Sequence, residues 1–256
     1  MISDNLHKII NGLPSGVKLV AVSKFHPLDA IKEAYAAGQR VFAESRPQEM
    51  QEKILTLSQE AEKGSVNPDE IEWHFIGHLQ TNKLKMVLPY ASLVQAVDSK
   101  HLLEDIDKWG RANGKTVKVL LEIHVAAEET KSGFYEEEVL EILWDAEKYR
   151  NIRFCGLMGM ASHTDDEETV NADFERIDTF MAYLVDLFPE LESFNQLSIG
   201  MSDDWHIAVR NGSTMVRIGT AIFGPRQYYP HTILCLPTET FLKSSASLPL
   251  TSSIRR

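Results

Sequence analysis

The sequence predicts an α/β protein folded as one (β/α)8 barrel of the TIM type. Three observations carry this expectation: β-rich runs alternate with helical patterns from Val17 to Gly224, eight such runs can be counted, and 256 residues suit one barrel. The strands are expected at Val17 to Lys24, Arg40 to Glu44, Glu72 to Gly77, Leu93 to Val97, Val117 to Val125, Arg153 to Met160, Phe194 to Ile199 and Met215 to Phe223.

Each connecting helix has its own signal. Leu28 to Ala37 follows Pro27, whose missing N–H costs little at a helix start, and precedes Gly38, where a left-handed cap belongs. Pro47 to Leu57, Thr81 to Leu88, Lys100 to Ala112, Glu136 to Lys148 and Glu167 to Phe188 come next. Asp203 to Asn211 closes at Gly212. A short amphipathic segment, Leu6 to Ile10, is expected outside the first strand. Residues 1–226 form the barrel, and a Ser/Thr-rich tail at 227–256 is expected to be poorly ordered.

Composition narrows the function classes. With 37 acidic against 26 basic residues the net charge is −11, which disfavours nucleic acid and anionic membranes but allows a local cationic pocket. No run approaches the roughly 20 apolar residues needed to span a bilayer, and the N-terminus lacks a basic segment followed by an apolar one. Cys155 and Cys235 are far apart and outside metal-ligand spacing, which fits a reducing, cytoplasmic setting.

Barrels of this class carry chemistry at the C-terminal strand ends, with phosphate often bound after strands seven and eight. The first strand ends Leu19-Val20-Ala21-Val22-Ser23-Lys24. A lysine closing an apolar run is either an amine made nucleophilic by burial or a side chain leaving the rim for solvent. After strand seven, Ser198-Ile199-Gly200-Met201-Ser202-Asp203-Asp204 is a small-residue turn opening a helix, suited to an anion. Capping alone also explains it, with Ser202 as N-cap and the two aspartates in the first turn. Strand eight supplies Arg217, a fixed cation or half of a buried ion pair, and then Gly219 and Thr220, where backbone approaches closely. Together these residues describe a pocket for a phosphorylated aldehyde. Two chemistries remain: a pyridoxal 5'-phosphate (PLP) site on lysine, and a Schiff-base aldolase acting on a sugar phosphate.

Five segments occur in order: Val20 to Lys24, Trp73 to Lys83, Gly156 to Met160, Leu197 to Asp204 and Gly212 to Gly224. This set closely resembles the YggS/PROSC family of PLP-homeostasis proteins, from the first strand through Arg226. The resemblance implies a PLP barrel in which Lys24 carries the cofactor as a Schiff base. It also implies a phosphate cradle around Ser198, Gly200, Met201, Ser202, Gly219 and Thr220, with Arg217 facing the pyridine nitrogen. One departure is visible: the family commonly has Gly-Glu-Asn after strand two, and this chain has Ala43-Glu44-Ser45.

An arginine at the ring nitrogen keeps that nitrogen unprotonated and weakens the electron sink. Racemase-like barrels add a second base from another domain. None is visible in this sequence, and no tyrosine falls convincingly at a strand end, Tyr228 and Tyr229 being the nearest. The resemblance therefore implies a protein that holds PLP and supplies it to PLP-requiring apoenzymes, without catalytic activity of its own. A PLP-dependent racemase-like enzyme is the alternative, and the aldolase a more distant one. His74 and His78 have no companion ligands for a metal and are expected to be structural or pocket-lining. Asp165 to Glu168 reads as a solvated helix start, and Met158, Met160 and Met201 as packing at the barrel mouth.

Overall fold

The computed structural model describes residues 1–61, 66–125 and 132–225. Helix α1 (Ile2–Gly12) precedes the barrel, which alternates β1 (Lys18–Val22), α2 (Leu28–Ala36), β2 (Val41–Glu44), α3 (Pro47–Glu60), β3 (Glu72–Phe75), α4 (Leu84–Val87), β4 (Leu93–Val97) and α5 (Lys100–Asn113). It continues with β5 (Val117–Ile123), α6 (Glu136–Trp144), β6 (Ile152–Gly159), α7 (Glu167–Leu187), β7 (Gln196–Ser198), α8 (Trp205–Arg210), β8 (Met215–Ile218) and α9 (Thr220–Phe223). All eight strands pair in parallel in sequence order, and β1 pairs with β8 to close the ring.

Alternation along the strands sorts the core into two shells. Val20, Val22, Ala43, Leu93, Leu120, Met158 and Met215 form the inner cluster, while Leu19, Ala21, Phe42, Val94, Leu121 and Leu157 join the larger layer beneath the helices. Two strands break strict alternation. Register shifts between Val94 and Val97 of β4, and on β6 opposite Val119 and Leu120. Gly156 makes the second shift feasible, because its φ of +142° is unfavourable for other residues and an added Cβ would lie 1.9 Å from the Gln196 carbonyl oxygen.

The expected helix signals hold at Gly38, with φ +100°, and at Pro27, the N-cap of α2. The N-terminal segment is a full helix, α1, packed on α2 and α9 through buried Leu6 and Ile9. The structure corrects three boundaries. Strand eight does not run to Phe223: it ends at Ile218, and Gly219 accepts the Ile222 and Phe223 N–H groups at 2.9 Å to start α9. The apolar run Ala221 to Phe223 was compatible with either period, and burial of Ile222 against α1 selects the helix. The expected helix Glu136 to Lys148 is broken at Asp145 (φ −96°, ψ 12°) into α6 and a 3-10 turn, and Thr81–Lys83 is likewise a 3-10 turn before α4. Ser202 is not a helix N-cap, since α8 starts at Trp205 behind Asp204. The tail at 227–256, with Tyr228, Tyr229 and Cys235, lies outside the described residues.

Candidate functional site

Strand one stops at Val22 rather than at Lys24, so Lys24 sits in the turn just beyond the C-terminal end of β1, half-buried. Both neighbours of Lys24 are held from α3. The Lys53 ammonium, buried behind β1 and β2, donates to the Ser23 carbonyl at 2.8 Å and to Glu44 and Glu49 at 2.7 Å each. Glu49 also accepts the Phe25 N–H at 2.7 Å, and the Ser23 hydroxyl donates to Glu44 at 2.6 Å. Phe25 has φ +65°, among the described residues the one non-glycine with positive φ, and the Arg46 guanidinium covers its ring at 4.2 Å. A left-handed aromatic residue costs roughly 1–2 kcal/mol, so the clamp from α3 offsets the strain of the turn that presents Lys24. Burial pushes Glu44 up to about 7 against the opposing pull of Lys53, and its second oxygen has no hydrogen-bond partner.

Across the mouth, Arg217 is buried on the inward parity of β8. Its Nη1 donates to the Ser198 carbonyl at 2.6 Å and to the Ser198 hydroxyl at 2.7 Å, and Nη2 donates to the Gly159 carbonyl at 2.9 Å. These described partners are neutral oxygens, so the residue is not half of a close ion pair. Burial lowers it to about 10, opposed by Glu122 and Asp204, so it stays cationic at neutral pH. Glu122, inward on β5, is pushed up to about 7 by burial and next by Asp98, with Arg217 and His78 acting the other way. Asp98 accepts from His78 Nδ1 at 2.5 Å, and its other oxygen is buried without a partner.

The two small-residue turns meet beside this cation. Gly200, at φ +95°, lets the turn after β7 fold against α8, where an added Cβ would lie 2.6 Å from the Ala208 Cβ. Ser202 accepts the Ala221 N–H at 3.3 Å and so ties that turn to α9. Gly219 sits against β1, where a Cβ would meet the Val22 carbonyl oxygen at 3.1 Å. Thr220 opens α9 and is exposed. The Met201 side chain is exposed, and its N–H donates to the Asp204 carboxylate at 2.5 Å. Ser198 is placed differently from the rest of the expected cradle: its hydroxyl is fully buried inside the barrel, donating to Gln95 at 2.7 Å.

Sequence reasoning missed Glu44, Lys53, Glu49, Gln95, Asp98 and Glu122. A signal existed for three of them, since Glu44 and Gln95 are the single polar residues of apolar strands and Glu122 interrupts the buried run Val119 to Ile123 of β5. His74 is a core residue whose Nδ1 meets the Gln95 amide at 2.8 Å, whereas His78 stands at the rim. Among the described residues no group of three or more His, Cys, Asp or Glu is arranged to hold a metal ion, and no helix is long and apolar enough to cross a membrane.

A parallel barrel with a lysine after its first strand, a buried arginine on its last and glycine turns after strands seven and eight defines an alanine-racemase-type barrel. The family model for alanine racemase, N-terminal domain, matches residues 1–227. Within that class the chain belongs to the pyridoxal phosphate homeostasis proteins. It is 38% identical over 216 residues to the protein of that name from Vibrio alginolyticus, covering 84% of this chain and 89% of the relative. To the mouse protein it is 36% identical over 240 residues, with 91% and 84% covered. Among solved structures, PipY of Synechococcus elongatus with PLP bound superposes with a TM-score of 0.77 at 33% identity, covering 88% of this chain and all of that one. An alanine racemase from Clostridium difficile shares the fold alone, at 17% identity and a TM-score of 0.69, and this chain spans 57% of it.

Proposed function

We propose that this protein binds PLP covalently through Lys24, and that it works in the cytoplasm by holding the cofactor and releasing it to PLP-requiring apoenzymes. When bound, PLP supplies an aldehyde carbon that condenses with a lysine amine, releasing water. The observation that supports the reading is that Lys24 follows the C-terminal end of β1, next to β8 in the ring, while the buried cation of Arg217 lies on β8 and two glycine turns that side chains would fill follow β7 and β8.

The chain's residues divide the work. The clamp of Lys53 and Glu49 on Ser23 and Phe25 fixes the backbone on both sides of Lys24. Gly200 and Gly219 keep the approach to the turns open, so that backbone N–H groups and the hydroxyls of Ser202 and Thr220 can surround a phosphate. Ser198 contributes by holding Arg217 rather than by touching the phosphate, because its hydroxyl is committed within the barrel to Gln95 and Arg217. Arg217 keeps its own proton and so donates toward a ring nitrogen without surrendering a proton to it. That arrangement favours keeping the cofactor over using its ring as a strong electron sink. Names and structures among the relatives support the same reading: PipY was solved with PLP bound, and the curated relatives are named for PLP homeostasis.

The test is to incubate the purified protein with limiting PLP, record its visible absorption, reduce with borohydride and map the pyridoxyl group by intact mass and peptide analysis. The expected result is one pyridoxyl group on Lys24, absent from Lys24→Ala. A stoichiometric adduct on another lysine, such as Lys83 or Lys85, refutes the assignment, and absence of any adduct refutes the reading. Transfer is tested separately by reactivation of a PLP-requiring apoenzyme, and racemisation of a panel of amino acids would favour the enzyme alternative.

A further inference from the structure

A hydrogen-bonded chain runs from the barrel mouth toward its opposite end. Arg217 Nη1 donates to the Ser198 hydroxyl at 2.7 Å, the Ser198 hydroxyl donates to Gln95 Oε1 at 2.7 Å, and Gln95 Nε2 meets His74 Nδ1 at 2.8 Å. Gln95 Nε2 also reaches the Met215 sulfur at 3.2 Å. On its far side, His74 Nε2 lies 3.8 Å from Glu72, which holds Lys18 at 3.2 Å near the N-terminal strand ends. Gln95 and Ser198 are fully buried and His74 nearly so.

We propose that Gln95 is the positioning residue for Arg217, setting the guanidinium through the Ser198 hydroxyl. The inference rests on the reading that Arg217 serves the cofactor, but the link itself is a property of the unloaded barrel.

An amide in an apolar barrel interior is costly unless its hydrogen bonds are made. Here the bonds also have a direction. Because Gln95 presents its carbonyl to Ser198, the hydroxyl hydrogen points down the barrel and its lone pairs face Arg217. With the amide reversed, an N–H would face the hydroxyl and take one of its two lone pairs, leaving the hydroxyl hydrogen without its acceptor and the Arg217 contact without a fixed direction. His74 blocks that reversal as long as Nδ1 accepts, since a carbonyl facing it would leave two acceptors opposed. Burial lowers the His74 pKa and favours the neutral ring this arrangement needs, with its proton on Nε2 toward Glu72. Lys18 and Lys118 add to the lowering, and Glu72 opposes it. A leucine at position 95 would satisfy packing but provide no acceptor for Ser198. The polar residue is thus explained by what it orients.

The test compares wild type with Gln95→Leu, Gln95→Glu and Ser198→Ala. In unloaded protein, NMR reads guanidinium proton exchange at Arg217 and the protonation of the His74 ring. Gln95→Leu should speed Arg217 exchange about tenfold, the equivalent of losing one hydrogen bond. Gln95→Glu, whose carboxylate still accepts from Ser198, should restore slow exchange while His74 takes up a second ring proton. Ser198→Ala should give an equal acceleration, because it removes the same acceptor while the Ser198 and Gly159 carbonyls remain in both variants, and the Ser198→Ala/Gln95→Leu double variant should exceed neither single variant.

With PLP bound, the absorption of Gln95→Leu should acquire a pH dependence absent from wild type, and in an Arg217→Lys background the same substitution should add nothing. Wild-type exchange in Gln95→Leu, or an equal spectral change in the Arg217→Lys background, overturns the proposal while leaving PLP binding intact. If exchange responds as expected but the wild-type protein takes up no PLP, the proposed function fails and the inference survives only as a statement about the barrel. Should Gln95→Leu fail to fold, Gln95→Met, which keeps the length of the side chain but offers Ser198 no strong acceptor, takes its place: faster Arg217 exchange is expected, and wild-type exchange overturns the proposal.

Discussion

Replacing Lys53 by methionine removes the cation from the clamp behind Lys24 while nearly preserving its volume. Three hydrogen bonds of 2.7–2.8 Å disappear at once, and Glu44, which is fully buried, keeps only the Ser23 hydroxyl. Breaking a buried ion pair on one side costs about 3–5 kcal/mol, which for a domain of this size lowers Tm by roughly 6–20 °C. The cost depends on pH in a definite direction. Burial already places Glu44 near 7, and the lost pull of Lys53 moves it higher. A carboxyl whose folded pKa exceeds the unfolded value contributes stability below the unfolded pKa and loses it as pH rises through the folded one. The gap between Lys53→Met and wild type should therefore be largest at about pH 8 and shrink toward about pH 5.5, where Glu44 becomes neutral. Thermal melts followed by circular dichroism at both pH values measure this. A Glu44→Gln/Lys53→Met double variant should recover most of the loss at the higher pH, because it leaves no buried charge at position 44. The loosened Ser23 carbonyl and Phe25 N–H should also slow formation of the reducible adduct at Lys24. A Tm within about 2 °C of wild type at pH 8, or a gap that does not change with pH, would refute the reasoning.

Glu122→Gln isolates the second raised carboxyl: with a pKa near 7 against 4.5, wild type should lose about 3 kcal/mol relative to the variant as pH rises through that window, read from denaturant melts at several pH values. His74 works in the opposite sense, since a depressed imidazole loses stability as pH falls, so only the difference between the two proteins carries the signal. Gly219→Leu places a side chain where a Cβ already lies 3.1 Å from the Val22 carbonyl oxygen, and should cost about 1–3 kcal/mol and weaken PLP more than pyridoxal; equal losses of the two affinities would remove the phosphate from this turn. Gly156→Ala should cost more than about 3 kcal/mol, because strain at φ +142° adds to a backbone clash at Gln196, and a near-normal melt would show that the bulge can shift.

The amino-acid sequence by itself determined the closed barrel, the lysine closing the apolar run of strand one, the arginine on strand eight and the small-residue turns around Gly200 and Gly219. All of these are local: a period of two along strands, a helical period between them, and glycine where the chain turns sharply. What the sequence left open was decided where distant segments meet. Whether Ala221 to Phe223 continued a strand or formed a helix depended on α1, from the other end of the described chain. Ser198 was legible as part of a small-residue turn, but its hydroxyl was committed by Gln95, 103 residues earlier. Nothing in the sequence separates Lys53 from other charged positions on a helix, and it is a buried clamp because Glu44, on β2, and the Ser23 carbonyl, just after β1, converge on it. Periodicity fixes which face of an element a side chain occupies, whereas hydrogen-bond partners in a barrel come from other strands and helices. Closure of the ring is what brings Arg217, Ser198, Gln95 and His74 into one directed chain.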